Sequence, residues 1–159
     1  MWHDEAVRAL AAALAAVVLA AGCAGGDSKP DQDPGEFISQ LVHHVAAGRY
    51  AQAWTTMYPP HQQVATKQQY LRCEPLTPFP GKVENVRILE VFDEPVEVAG
   101  QAEDVESTAI IVRLTVRAGN DERDRFDSTF HAVAVDGNWT WFLPESRYAA
   151  YVAGDCFSG

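Results

Sequence analysis

His131 is the residue of this chain best placed to move a proton, because it stands between Phe130 and Ala132 in a run of strand-forming residues, 126–135. Burial in an apolar pocket shifts an imidazole toward its neutral form, the form a general base needs. Asp127 shares a face with His131 by the two-residue period of a strand, yet four residues put it about 13 Å away, too far to hold the ring. The nearer same-face positions, Thr129 and Val133, carry no carboxylate. His131 is therefore a candidate base without a visible partner, and it is expected to titrate near the unperturbed value of about 6.5.

The other chemistry-bearing residues exclude more than they offer. His43 and His44 are adjacent, so a helix points them about 100° apart and they cannot chelate one metal together. The sequence has no HxxxH or HExxH pattern, no GxSxG, no glycine-rich phosphate loop and no dinucleotide fingerprint. The acidic residues Glu90, Asp93, Glu94, Glu97, Glu103, Asp104 and Glu106 lack the alternating spacing of a calcium loop and read as a solvated sheet edge. Neither a metal nor a cofactor is expected.

Three cysteines divide into one and a pair. Residues 6–21 are apolar but for Arg8 and run into Leu19-Ala20-Ala21-Gly22-Cys23, the pattern of a lipoprotein signal peptide over residues 1–22 with lipid attachment at Cys23. Export to an oxidising compartment then makes Cys73 and Cys156 a disulfide candidate, and closing that loop would remove roughly 4 to 5 kcal/mol of unfolded-state freedom. Residues 23–33 are small and polar and read as a flexible tether, which places the folded domain at residues 34–159. The expected location is the outer face of the cytoplasmic membrane. The net charge of −10, or −9 once Asp4, Glu5 and Arg8 leave with the signal peptide, argues against nucleic acid as a partner.

The elements that must position these residues can be read in order. Asp33 as cap and Pro34 at the first helical position open a helix bearing Phe37, Ile38, Leu41, Val42 and Val45 at helical spacing, which Gly48 stops. Residues 49–58 read as a second helix ended by Pro59-Pro60, and Thr66 with Gln69 forms the capping box of a third, carrying Tyr70 and Cys73. After a proline-rich connection, residues 83–92 read as a strand interrupted by Asp93-Glu94-Pro95 and resuming at 96–98. Residues 108–117 alternate, with Ile110, Val112, Leu114 and Val116 on one side. Asp136-Gly137 is a type I′ turn signal that pairs Val135 with Asn138, Ala134 with Trp139, Ala132 with Trp141 and Phe130 with Leu143. Among the aromatics, Trp54, Tyr70, Trp139 and Trp141 are the candidate pocket residues, with plain core as the competing reading.

Gly48-Arg49-Tyr50-Ala51-Gln52-Ala53-Trp54, Tyr70-Leu71-Arg72-Cys73 and Val135-Asp136-Gly137-Asn138-Trp139, in that order, resemble exported actinobacterial lipoproteins of the nuclear transport factor 2-like superfamily. The resemblance implies an α+β fold in which three N-terminal helices pack against a strongly curved antiparallel sheet to form a cone able to hold a small hydrophobic molecule. It also implies two alternative functions: non-catalytic binding of a small hydrophobic ligand or a protein partner, or an isomerase, dehydratase or cyclase with an acid–base residue in the cone. Relatives often dimerise through the sheet, so a homodimer is a further expectation.

Overall fold

The computed structural model describes residues 28–119 and 122–158. The signal peptide, Cys23 and the tether as far as residue 27 lie outside them. The first helix, α1 (Pro34–Ala46), begins where the sequence places it: Asp33 Oδ1 accepts the Glu36 N–H at 2.8 Å, and Pro34 occupies a position whose missing N–H costs nothing. Its apolar stripe, Phe37, Ile38, Leu41 and Val42, is buried.

Three further short helices follow, α2 (Tyr50–Thr55), α3 (Pro59–Val64) and α4 (Lys67–Cys73), and a 3-10 turn (Glu74–Leu76) ends the series. The expectation of three N-terminal helices is thus corrected. Pro59 and Pro60 do not merely end α2; they fill the first turn of α3, where a proline loses no helical hydrogen bond and its fixed φ suits the helix. The capping box of α4 forms as expected, with Thr66 Oγ1 accepting from the Gln69 N–H at 3.3 Å. A fifth helix, α5 (Glu145–Val152), forms in the C-terminal segment, for which the sequence predicts no element.

The strands β1 (Lys82–Val96), β2 (Val105–Arg117), β3 (Arg123–Val135) and β4 (Asn138–Thr140) form one antiparallel sheet in the order of the chain. β2 is the core strand: Ile110, Val112, Leu114 and Val116 are all buried against α1. The expected break at Asp93-Glu94-Pro95 does not occur. β1 continues through it because it is an edge strand, where a proline can face outward, and the irregularities fall instead at the register shifts after Val83 and Ile88.

The hairpin turn has the predicted geometry, with φ of 50° at Asp136 and 73° at Gly137, and Val135 pairs with Asn138 and Ala134 with Trp139. Beyond Thr140 the expected register is lost, so Ala132 does not face Trp141 and Phe130 does not face Leu143. Trp141 leaves the sheet to bridge the α2–α3 junction: its N–H donates to Thr56 O at 3.1 Å and its carbonyl accepts from the Tyr58 N–H at 2.7 Å. Those bonds replace the ladder that β3 would have provided. Two cores result, one between α1 and the sheet and one among α2, α4, α5 and residues 141–143, and Trp141 packs against both. No helix among the described residues is long and apolar enough to cross a membrane.

Candidate functional site

The early departure of β4 opens a cleft of 410 Å³ alongside β3. Ile38, Leu41, Val42 and Val45 of α1 and Phe79 form one side, residues 128–131 of β3 form the other, and Trp141, Phe142 and Pro144 close the end. His131 is the one titratable residue of the lining. A space of this size with apolar walls suits an uncharged, apolar group.

Of the four aromatic candidates, Trp141 alone lines this cleft. Its indole Nε1–H donates to Ala53 O at 2.7 Å, which fixes the ring between the two cores. Tyr70 is fully buried in the second core, 6.3 Å from the Trp141 ring. Trp54 belongs to the same core, donating to Ala65 O at 2.8 Å beneath the Lys67 ammonium. Trp139 is buried against the sheet, donates to Gln32 O at 2.7 Å and lines a separate cleft shared with Lys29 and Asp93. The structure therefore does not gather the four aromatics into one pocket.

His131 is half-buried, and its surroundings come from β1 and β2 as well as from its own strand. Phe130 and Ala132 pack on the α1 side, so alternation turns the imidazole to the opposite face of the sheet. There Nδ1 lies 3.1 Å from Ser107 Oγ, and Nε2 lies 3.8 Å from Glu94 Oε1. Ser107 gives its single proton to Glu94 O at 2.7 Å, so Oγ acts as the acceptor toward the ring. We assign the proton of the neutral ring to Nδ1, which leaves Nε2 unprotonated. The arrangement is not an activated nucleophile, because the serine proton points away from the histidine. Burial lowers the His131 pKa below its ordinary 6.5, and the Glu94 carboxylate partly offsets this. That corrects the expectation of an unshifted imidazole; the missing carboxylate comes from β1, which no reading of β3 alone could supply. Asp127 is held instead by Arg113, with contacts of 2.7 and 2.8 Å.

No protein-family model matches the chain, and neither does any curated protein. Among solved structures the chain is similar to a protein of Campylobacter jejuni described as an NTF2-like transpeptidase, with 11% identity, a TM-score of 0.46, and coverage of 71% of this chain and 100% of the other. A likeness at that level says nothing about activity.

The disulfide between Cys73 and Cys156 is present and joins α4 to the residues after α5, with the Cα atoms 5.0 Å apart. The buried cluster beside it has no signal in the sequence. Glu74 accepts from Tyr151 Oη at 2.7 Å through Oε1 and from Arg147 through Oε2, which fastens α5 to the 3-10 turn. His61 is equally hidden. It is completely buried, donates Nε2–H to Ala99 O at 2.9 Å and accepts the Leu143 N–H on Nδ1 at 3.0 Å. Its sequence neighbourhood, Pro59-Pro60-His61-Gln62, reads as polar and exposed, and nothing local marks it as core. Among the described residues no three His, Cys, Asp or Glu side chains are grouped to hold a metal ion.

Proposed function

We propose that this chain is a membrane-tethered extracytoplasmic domain of nuclear transport factor 2-like type, anchored by lipid on Cys23, that holds a small hydrophobic molecule or a protein partner without catalysing a reaction. Helices followed by a four-stranded antiparallel meander, with α1 laid across it, support the fold assignment. The observation that carries the function is the 410 Å³ apolar cleft between α1 and β3. Titrating the intact chain with N-phenyl-1-naphthylamine, an uncharged apolar fluorophore, tests it. Saturable one-site binding is expected, and Val45→Trp, which places an indole at the partly buried rim, should abolish it. Equal binding by wild type and Val45→Trp would remove the cleft from the reading.

The second reading is an acid–base enzyme of the isomerase, dehydratase or cyclase kind. It is favoured by one observation, the desolvated His131 with an unprotonated Nε2 near Glu94. It ranks second because no second titratable side chain among the described residues lines the cleft, and Glu94, at 3.8 Å from Nε2, lies outside hydrogen-bond reach of the ring.

A further inference from the structure

The cleft wall contributed by β3 is main chain as much as side chain. In an antiparallel ladder, alternate residues turn both their N–H and their C=O toward one neighbour and the residues between them toward the other. Val135 and Val133 pair with β4 across the two-residue turn, so Thr129 and His131, four and two positions back from Val133, point their main-chain groups to the same side. β4 has ended at Thr140, and no backbone partner from the described residues stands there. The N–H and C=O of Thr129 and His131 thus open into the cleft, beside Ile38, Leu41 and Phe79.

The other exposed edge, β1, is irregular, with two register shifts, a proline at 95 and the acidic residues Glu84, Glu90, Asp93 and Glu94 along it, all features that discourage pairing. The free length of β3 pairs with β2 without a register shift from Arg123 to Ala132. The two edges are therefore not equivalent, and only the recessed one combines regular backbone with apolar walls.

We propose that the ligand of this cleft is an extended apolar peptide segment that adds to β3 as a short antiparallel strand, bonding the main chain of Thr129 and His131. This deepens the reading of the cleft as the ligand site and rests on it. An acyl chain filling the same volume would strip water from those N–H and C=O groups and give nothing back, whereas a peptide satisfies them at the two-residue repeat of a strand, roughly 7 Å. Register also sets the side-chain preference. The peptide residue opposite Phe130 projects to the α1 side, between Ile38, Leu41 and Val42, and is large and apolar; its neighbours project to the face of Thr129 and His131 and tolerate polar groups.

Three probes decide the matter on the intact chain: the capped peptide acetyl-Thr-Val-Leu-Val-Thr-amide, the same peptide N-methylated at both valines, and dodecanol. The expected result is saturable binding of the first with slowed hydrogen exchange at the Thr129 and His131 amides, and binding of the N-methylated form weaker by about tenfold or more. Thr129→Pro removes one outward donor at an edge position that tolerates proline, and with an unchanged melting curve it should weaken the capped peptide about tenfold. Equal binding of the methylated peptide, or binding without amide protection, overturns the proposal. Dodecanol binding where the capped peptide fails overturns it too, while leaving the cleft as the ligand site. Failure of all three probes overturns both.

Discussion

The main-chain N–H of Leu143 donates to Nδ1 of His61 at 3.0 Å, and that bond fixes the tautomer of a completely buried imidazole. Nδ1 must keep its lone pair, so the ring proton sits on Nε2 and is given to Ala99 O at 2.9 Å. One side chain on α3 thereby ties together the loop after β1 and the segment that leaves β4. Gly100 makes room for this: a Cβ there would collide with the Tyr148 hydroxyl, and its φ of +79° suits glycine.

Acid should loosen this joint. Desolvation lowers the His61 pKa from its ordinary 6.5, with the bond to Ala99 partly offsetting it, so below pH 6.5 the unfolded chain binds more protons than the folded one. The stabilisation is complete above about pH 6.5 and declines as pH falls toward the lowered folded value. The surface carboxylates add a separate loss: Glu84, Asp93 and Asp127 have lowered pKa values through their bonds to Arg123, Lys29 and Arg113, so their contribution fades only in more acid solution. Urea midpoints between pH 7.5 and 5 should fall for the wild type and fall less for His61→Leu. That variant should already be less stable by roughly 2 to 4 kcal/mol at pH 7.5, since it leaves the Leu143 N–H and Ala99 C=O unpaired. A wild-type midpoint flat across this range would contradict the account.

Trp141→Ala is expected to cost roughly 3 to 5 kcal/mol, because the indole joins the two cores and donates to Ala53 O. Trp141→Phe keeps most of the packing and should cost nearer ~1 kcal/mol, the worth of the hydrogen bond. Equal denaturation midpoints for wild type and Trp141→Ala would contradict the position described for the ring.

Reducing the Cys73–Cys156 disulfide should lower the melting temperature, and Glu74→Gln should lower it independently by weakening the bonds to Arg147 and Tyr151. Both fasten the C-terminal segment to adjacent residues, Cys73 and Glu74, so their effects should not add. A double-mutant cycle with Cys73→Ser/Cys156→Ser measures the coupling, and strict additivity would show that the two fastenings act separately.

His131 should titrate below 6.5 in an NMR experiment, and Glu94→Gln should lower it further by removing the carboxylate that favours the charged ring. A titration at or above 6.5 would mean the ring is more hydrated than its half-buried position implies.

Lipid attachment rests on the sequence of residues 19–23. Labelled palmitate fed to expressing cells should mark the wild type and not Cys23→Ser; equal labelling of both would dispose of the anchor.

Backbone physics that acts within a few residues is legible in the amino-acid sequence alone. The Asp33-Pro34 start of α1, the Asp136-Gly137 turn with its first two cross-strand pairs, and the buried stripe of β2 all depend on local capping, φ preference and alternation. The pairing of Cys73 with Cys156 is legible too, by counting. The site is not, because it is made by a strand that stops. Whether Trp141 continues the hairpin or turns to Thr56 and Tyr58 is a competition between two sets of hydrogen bonds, and the winning partners lie more than 80 residues away along the chain. Separation along the chain likewise hides His61, whose partners Ala99 and Leu143 are 38 and 82 residues away, and Glu94, which reaches His131 only once β1, β2 and β3 lie side by side. Local sequence determined which elements form; tertiary competition for main-chain hydrogen bonds decided where β4 ends, and hence that a cleft exists at all.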